Sequence, residues 1–241
     1  MNIIIHGSTG RMGRKLQELL AGNSAHTMVA AVSPEEDVLK TLNDYQGPAD
    51  LIIDFSFHGA VYDLMDYAEA KKLPVVVATT GHTAEEKARI AEAAKVIPVF
   101  YSGNMSVGVA LLVRLAKLTA QTFPNAEIEI IETHHDQKLD APSGTALMIA
   151  DGIKSVKPEA TYNLGRSGQA KRTKEEIGIH AIRIGNVVGI HEVIVSTGTQ
   201  TITLKHEAHD RKLFAEGAMV AAQWLVSQKP GLYNMETMLG G

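Results

Sequence analysis

The sequence predicts an α/β protein in which a doubly wound parallel sheet is followed by a smaller α+β domain. Over about the first hundred residues, short apolar runs without polar alternation are separated by helical stretches, which indicates buried parallel strands joined by crossover helices. Past Ser106, strand-like runs of alternating polarity follow one another, as in a mixed or antiparallel sheet with helices on one face. A glycine-rich turn joins the first apolar run to the first helical stretch, which is typical of doubly wound folds.

The first region alternates strands with helices. Runs of β-branched and apolar residues predict the strands, and apolar residues three or four positions apart predict the helices. The predicted strands are residues 2–6, 26–32, 50–55, 73–78 and 97–100, and the predicted helices are 11–21, 60–71 and 83–95.

The second region combines two helices with several strands. Helices are predicted at 107–122 and 146–154, strands at 127–132, 178–184, 189–196 and 200–207, and a glycine-rich basic stretch at 160–173. A last helix at 213–226 is predicted to return to the first domain. The predicted domains are therefore 1–106 with 212–241, and 107–211.

Composition narrows the classes of function. The chain has 241 residues, 45% of them hydrophobic, and no stretch approaches the roughly 20 apolar residues of a transmembrane helix. Cysteine is absent, which excludes disulfides, thiolate metal sites and cysteine nucleophiles. A net charge of −4 argues against general nucleic-acid binding. The N-terminus MNIIIHGSTG has no basic region and no small-residue cleavage site, so we expect no export signal and a cytoplasmic protein.

The turn in IIIHGSTGRMGRKL predicts a dinucleotide-binding site. Its glycines let the backbone turn tightly, approach a pyrophosphate and pack helix against strand, and the helix start supplies N–H donors. A structural turn that binds nothing is the alternative, but the position between the first strand and the first helix favours a cofactor. The predicted cofactor contacts are Gly7, Ser8, Thr9, Gly10, Arg11 and Met12, with Gly13 at the helix–strand contact.

The end of the second strand bears on which nicotinamide is used. An acidic residue there would hold the adenosine ribose and repel a 2′-phosphate. Ser33 and Pro34 occupy this position instead, with Glu35 and Glu36 just beyond. Together with the basic residues of RMGRK, this permits NADPH. The predicted cofactor is NADPH or NADH, with Ser33 among its contacts.

Two further strand ends are predicted to contact the nicotinamide half of the cofactor. Ligands of open α/β sheets lie beyond the carboxyl ends of the strands. Ordinary turn chemistry by Thr, Gly and Asn is the alternative. The predicted contacts are Ala78, Thr79 and Thr80 after one strand, and Ser102, Gly103, Asn104 and Met105 after another.

The stretch ETHHDQKLDAPSGTA allows three interpretations: a metal site, a proton-transfer site, or a polar loop without a function. An extended backbone points His134 and His135 to opposite faces, so one metal ion cannot easily bind both. Histidine exchanges a proton near neutral pH, and Lys138 adds a positive charge and a second donor. Proton transfer by His134 and Lys138 is therefore the favoured interpretation, and no metal is predicted.

The end of that stretch, LDAPSGTA, predicts an anion site. We expect Asp140 as the N-cap of the next helix and Pro142 in its first turn. The N–H groups of Ser143, Gly144 and Thr145 would then be unpaired donors suited to a carboxylate or phosphate. For any one of these residues, a capping or surface role is the alternative.

These motifs resemble the 4-hydroxy-tetrahydrodipicolinate reductase (dihydrodipicolinate reductase) family. GSTGRMG, DFSFHGAVYDLMDYA, ATTGHT, GNMSVGVALL, THHDQKLDAPSGTA and EIGIHAIRIGNVVGIHEV stand in family order, so the likeness covers nearly the whole chain. The HHxxKxDAPSGTA element is highly specific, and the glycine turn is much less so.

The resemblance implies an NAD(P)H-dependent oxidoreductase that reduces 4-hydroxy-tetrahydrodipicolinate to tetrahydrodipicolinate in the diaminopimelate route of lysine biosynthesis. It implies a Rossmann-like cofactor domain and a domain for substrate binding and oligomerisation, with the sheets of the latter at the centre of a homotetramer. It also implies His134 as proton donor or acceptor, Lys138 as second donor, His135 as a substrate contact, and Gly144 and Thr145 as ligands of a substrate carboxylate.

The chain departs from the family pattern at the cofactor loops. Ala78 stands where glycine is common and Met105 where phenylalanine is common, and Ser33-Pro34 replaces an acidic strand end. A dinucleotide-sensing binding module is the main alternative, but it would not need His134 and Lys138 beside an anion site. A metal-dependent hydrolase, the third interpretation, would lose activity with chelators.

Overall fold

The structure is a computed structural model that describes residues 1–22, 24–35 and 37–240. The chain divides into two compact units, Met1–Ser106 with Lys212–Gly241, and Val107–Arg211. No helix within the described ranges is both long enough and apolar enough to cross a bilayer.

The helices and strands follow one another along the chain in a fixed order. They are β1 Asn2–His6, α1 Arg11–Ala21, β2 Thr27–Val32, β3 Leu51–Asp54, α2 Val61–Lys71, β4 Val75–Val77, α3 Ala84–Ala93, β5 Pro98–Tyr101, α4 Val107–Thr122, β6 Glu127–His134, α5 Gly144–Lys154, β7 Thr161–Asn163, β8 Glu176–Arg183, β9 Gly189–Ser196, β10 Thr201–Ala208, α6 Lys212–Leu225, β11 Gly231–Tyr233 and α7 Met235–Met238.

The first unit is built on a six-stranded sheet of order β11-β5-β4-β3-β1-β2, in which every neighbouring pair is parallel. Its central strands are apolar along their whole length, and Ile3, Ile4, Ile5, Val75 and Val76 are fully buried. Such burial on both faces explains why these strands show no polar alternation. Helices α2 and α3 pack on one face of this core, and α6 contacts β3, β4 and β5.

The second unit is built on a mixed sheet of order β10-β9-β6-β8-β7. Strand β6 runs parallel to β8 and antiparallel to β9. Helices α4 and α5 share a hydrophobic core with the buried residues of β6, β8 and β9. Alternate residues of β6 are buried, and the last two of these are Glu132 and His134 rather than apolar residues. The side of the sheet that packs on the helices therefore ends in ionisable side chains.

The predicted fold class, a doubly wound α/β sheet with a second α+β region, is confirmed. Helices α1 and α4 and strand β9 have the predicted bounds. Strands β7 and β11 were not predicted, because three residues are too few to show a period. Strand β6 extends two residues beyond its predicted end and so includes His134.

Candidate active site

The turn between β1 and α1 brings backbone close to backbone. Gly7 has a φ of +80°, and a Cβ there would lie 2.4 Å from the carbonyl oxygen of Phe55. A Cβ on Gly13 would lie 2.2 Å from the carbonyl oxygen of Gly7, so α1 approaches the turn more closely than any side chain allows. Gly10 is the N-cap of α1 and supplies no side-chain hydrogen bond. The first amides of α1 are therefore suited to an anionic ligand.

Two buried hydroxyls at the same edge of the sheet lack a hydrogen-bond partner among the described residues. They are Ser8 Oγ, which follows β1, and Thr79 Oγ1, which follows β4. Ser8 is fully buried and Thr79 is 6% exposed. A buried hydroxyl without a partner is costly. A ligand with phosphate or hydroxyl oxygens would satisfy both, so these residues fit a dinucleotide.

The end of β2 carries a hydroxyl pair in place of a carboxylate. Thr9 Oγ1 and Ser33 Oγ are 2.6 Å apart, and Ser33 is buried. Arg11, at the start of α1, and Glu35 are exposed. Glu36, the other acidic residue named from the sequence, lies outside the described residues.

The remaining predicted cofactor contacts follow β4 and β5. Met12 is half-buried, Ala78 is buried and Thr80 is exposed. After β5, Ser102 Oγ donates to the carbonyl oxygen of Asn104 at 2.7 Å, and Gly103 between them is exposed. Met105 is 2% exposed. The ends of β1, β2, β4 and β5 all carry predicted contacts, as expected for one edge of a parallel sheet.

In the second unit, the end of β6 positions the two adjacent histidines. His134 is buried, and its Nδ1 lies 2.5 Å from Glu132 Oε2. His135 is half-buried, and its Nε2 lies 3.3 Å from the guanidinium group of Arg211. The two rings therefore have different partners, which agrees with an extended backbone at His134.

Glu132 is the centre of a buried network that sequence reasoning missed. It is fully buried and accepts two hydrogen bonds from Arg183, both at 2.9 Å, and one from the Ser143 backbone N–H at 3.0 Å. Burial alone would raise the pKa of Glu132, but the hydrogen bonds from His134, Arg183 and Ser143 outweigh it and lower this pKa to about 2. Glu132 is therefore an anion that accepts hydrogen bonds at every pH at which the protein works.

The register of the sheet brings this network together. Arg183 on β8 lies opposite His134, and His191 on β9 lies opposite Glu132. Two residues apart on one strand, Glu132 and His134 share a face. That spacing, Glu-x-His at a strand end, was the available sequence signal. The partners from β8 and β9 needed the strand pairing.

His191 is a second buried imidazole in contact with the first. Its ring centroid lies 5.1 Å from that of His134, and its Nε2 lies 3.2 Å from Ser143 Oγ. Burial lowers the pKa of His191 to about 3, and the neighbouring His134 lowers it further. His191 is therefore neutral at physiological pH.

The start of α5 differs from the prediction. Asp140 as N-cap and Pro142 in the first turn were wrong, because α5 begins at Gly144 and Ser143 is its N-cap. The backbone of Ser143 is extended, and its Oγ accepts a hydrogen bond from the Ala146 N–H at 3.2 Å. An extended residue at that position keeps the helix from starting earlier.

The backbone donors predicted to be unpaired are in fact bound by carboxylates of the chain. Ser143 N–H donates to Glu132, and Gly144 N–H lies 3.3 Å from Asp140 Oδ2. The other oxygen of Asp140 lies 2.7 Å from Lys138 Nζ. Thr145, in the first turn, is half-buried. His134 and Lys138 are thus both tied to the start of α5, one through Glu132 and the other through Asp140.

The parallel sheet with its glycine turn, and a second unit with an imidazole and an ammonium group at a helix start, define a nicotinamide-dependent oxidoreductase. The model described as dihydrodipicolinate reductase, N-terminus, matches residues 1–105, and the one described as dihydrodipicolinate reductase, C-terminus, matches residues 108–239. The chain belongs to the dihydrodipicolinate reductase family.

Known proteins of the same name are similar over the full length. The 4-hydroxy-tetrahydrodipicolinate reductase of Caldanaerobacter subterraneus subsp. tengcongensis is 44% identical, over 99% of this chain and 98% of its own. That of Clostridium novyi is 40% identical, over 98% of this chain and 97% of its own. The solved structure of dipicolinate-bound dihydrodipicolinate reductase from Paenisporosarcina sp. TG-14 is 24% identical, with a TM-score of 0.82 over 98% of both chains, and supports the fold.

Proposed function

We propose that this protein reduces 4-hydroxy-tetrahydrodipicolinate to tetrahydrodipicolinate in the diaminopimelate route of lysine biosynthesis. Loss of water from the substrate gives a cyclic unsaturated imine that carries two carboxylates. Addition of one hydride and one proton to that imine gives the product. The reduced nicotinamide, when bound, supplies the hydride.

The observation that carries this proposal is the position of the Asp140 carboxylate. It bridges the Lys138 ammonium group and the Gly144 amide, so a carboxylate already lies on the donors assigned to the substrate. Its side chain is 56% exposed, which leaves it room to give way to a ligand. A substrate carboxylate that takes its place would contact Lys138, Gly144 and Thr145 at the start of α5.

The proton is assigned to His134, with Lys138 as the second donor. A buried imidazole held by a carboxylate can release or take up a proton without reorienting. His135, which follows His134 in the chain and contacts Arg211, is assigned to substrate binding. These roles give each member of the HHxxK motif one task.

The cofactor is assigned to the turn after β1 and the ends of the neighbouring strands. The amides of Gly10, Arg11 and Met12 at the start of α1 suit the pyrophosphate, and the unpartnered hydroxyls of Ser8 and Thr79 suit its oxygens or those of the ribose. Gly7, Thr9, Ala78, Thr80 and residues 102–105 complete the predicted contacts. With Ser33 in place of an acid, nothing at the end of β2 repels a 2′-phosphate, so both NADPH and NADH are proposed as cofactors.

The protein is further proposed to be a cytoplasmic homotetramer. Helices α4 and α5 pack on one side of the second sheet, and on its other side Ile182 is 45% exposed. The polar and apolar side chains of that surface suit contact with a second copy. Sedimentation of the purified protein measures the number of chains.

The experiment that tests the activity is turnover with freshly prepared 4-hydroxy-tetrahydrodipicolinate, followed by the loss of reduced nicotinamide with NADPH and NADH in parallel. We expect oxidation of cofactor that depends on substrate and is insensitive to chelators. Binding of a nicotinamide without any turnover would instead support the dinucleotide-sensing module, and loss of activity with a chelator would support the metal-dependent hydrolase.

A further inference from the structure

The proposed proton-transfer residue, His134, is held by a carboxylate that is itself fixed on every side. Glu132 Oε2 faces His134 Nδ1 at 2.5 Å, and the same carboxylate accepts from Arg183 and from the backbone of Ser143. A fully buried group with this many donors has one orientation. Its oxygen can only accept a hydrogen bond from the imidazole.

An acceptor at Nδ1 determines where the proton of the neutral ring resides. Because Glu132 is ionised, Nδ1 must carry the hydrogen, and Nε2 is left as the nitrogen with a free lone pair. The pKa of Glu132, lowered to about 2, keeps this arrangement through the neutral range. A carboxylate that orients a histidine in this way recurs in catalytic sites on unrelated folds.

Space is reserved at the other nitrogen. A Cβ on Gly189, the first residue of β9, would lie 3.0 Å from His134 Nε2. Glycine at this position keeps a side chain away from Nε2. One nitrogen of His134 is thus bound to the chain, and the other is left accessible.

We propose that Glu132, supported by Arg183, is the positioning residue that fixes the tautomer of His134 and makes Nε2 the atom that exchanges the substrate proton. This inference rests on the proposed function, which assigns the proton to His134. A purely structural role is the competing explanation, since Glu132 also joins β6 to β8 and to the start of α5.

Glu132→Gln separates the two roles. The glutamine oxygen can accept from Arg183 or Ser143, but its amide nitrogen can only donate toward His134 Nδ1. The neutral ring then carries its hydrogen on Nε2. We expect ¹⁵N chemical shifts of the imidazole to report this reversed tautomer, and kcat to fall by about 10²–10⁴-fold with a much smaller change in the KM for substrate. Glu132→Asp, which keeps the charge, should retain the wild-type tautomer and recover part of kcat.

The same strand offers a matched control. Glu129 also accepts from a histidine, since its Oε2 lies 2.8 Å from His180 Nε2. It lies on the other face of β6, away from His134. Glu129→Gln should leave the His134 tautomer and kcat near those of the wild type, with the oligomeric size checked alongside.

The wild-type protein keeps the test decisive even where Glu132→Gln fails to fold. Its His134 signal, assigned by its loss in His134→Gln, is expected to show hydrogen on Nδ1 when the ring is neutral. Hydrogen on Nε2 in the wild type, or unchanged kcat in a folded Glu132→Gln, would overturn the inference. Full turnover in His134→Ala would instead overturn the proposed function, and the tautomer measurement does not depend on activity.

Discussion

The two units prepare their sites for ligands in opposite ways. In the first unit, the turn after β1 is built from backbone, and the buried hydroxyls of Ser8 and Thr79 have no partner among the described residues. In the second unit, Glu132 is paired on every side, and the Gly144 amide is bound by a carboxylate of the chain. One site is completed by its ligand, and the other is already organised by ion pairs. Changes in the first should therefore affect cofactor binding, and changes in the second should affect turnover and acid stability.

The largest expected effect comes from the proposed proton-transfer residues. His134→Ala and Lys138→Ala should each lower kcat by two or more decades, since proton transfer contributes about 10²–10⁴-fold, while the fold is kept. Steady-state turnover together with far-UV circular dichroism measures both. The exposed residue Lys205, in an ion pair on β10, offers the control Lys205→Ala. Wild-type turnover in His134→Ala would break the comparison, because the second unit would then not carry the chemistry.

A change at the glycine turn should act on binding alone. Gly10→Val places branched carbons where the cofactor pyrophosphate is assigned, so the KM for the nicotinamide should rise more than about tenfold with little change in kcat. Gly22→Ala at the other end of α1 is the control, because a Cβ there meets nothing within 4 Å. An unchanged KM in folded Gly10→Val would show that the cofactor does not contact this turn.

Ser33 should set the balance between the two nicotinamides. Ser33→Asp introduces a negative charge at the end of β2, which should repel the 2′-phosphate and lower kcat/KM for NADPH relative to NADH by about tenfold. Ser33→Asn has a similar shape without the charge and should shift the ratio far less. Equal ratios in the two variants would mean that charge at this position is not read.

The second unit should also make the protein sensitive to acid. The pKa of His191 is lowered from 6.5 to about 3, so as pH falls below 6.5 the unfolded chain binds a proton that the folded chain does not. Stability therefore falls with pH across that window, by at most about 1.4 kcal/mol per pH unit. Glu132, with its pKa lowered from 4.5 to about 2, adds a further loss below pH 4.5. Both signs are the same.

Urea unfolding at a series of pH values measures this slope. His191→Gln should flatten it over the upper part of the window, and His209→Gln, at an exposed position of the same unit, should not. A wild-type stability that stays constant as pH falls below 6.5 would contradict the buried, neutral His191.

Local patterns predicted the fold well, and pairing between distant segments marks where the sequence ran out. Helix α4 and strand β9 have their predicted bounds because their periods are long and regular. The start of α5 was placed wrongly because Asp140 and Ser143 are both good caps, and only the extended backbone of Ser143 decides between them. His134 and Lys138 could be proposed from their chemistry. The Arg183 and His191 contacts could not, since they depend on which strands flank β6.

The central claim is that Lys138 and the start of α5 hold a dicarboxylate beside His134. Calorimetric titration of pyridine-2,6-dicarboxylate into the protein with NADPH present tests it most directly, in the wild type and in Lys138→Ala. The account predicts saturable binding by the wild type and at least about tenfold weaker binding by Lys138→Ala, a loss of about 1.4 kcal/mol or more. Equal affinity for both proteins, or no binding by a wild type that binds NADPH, would contradict it.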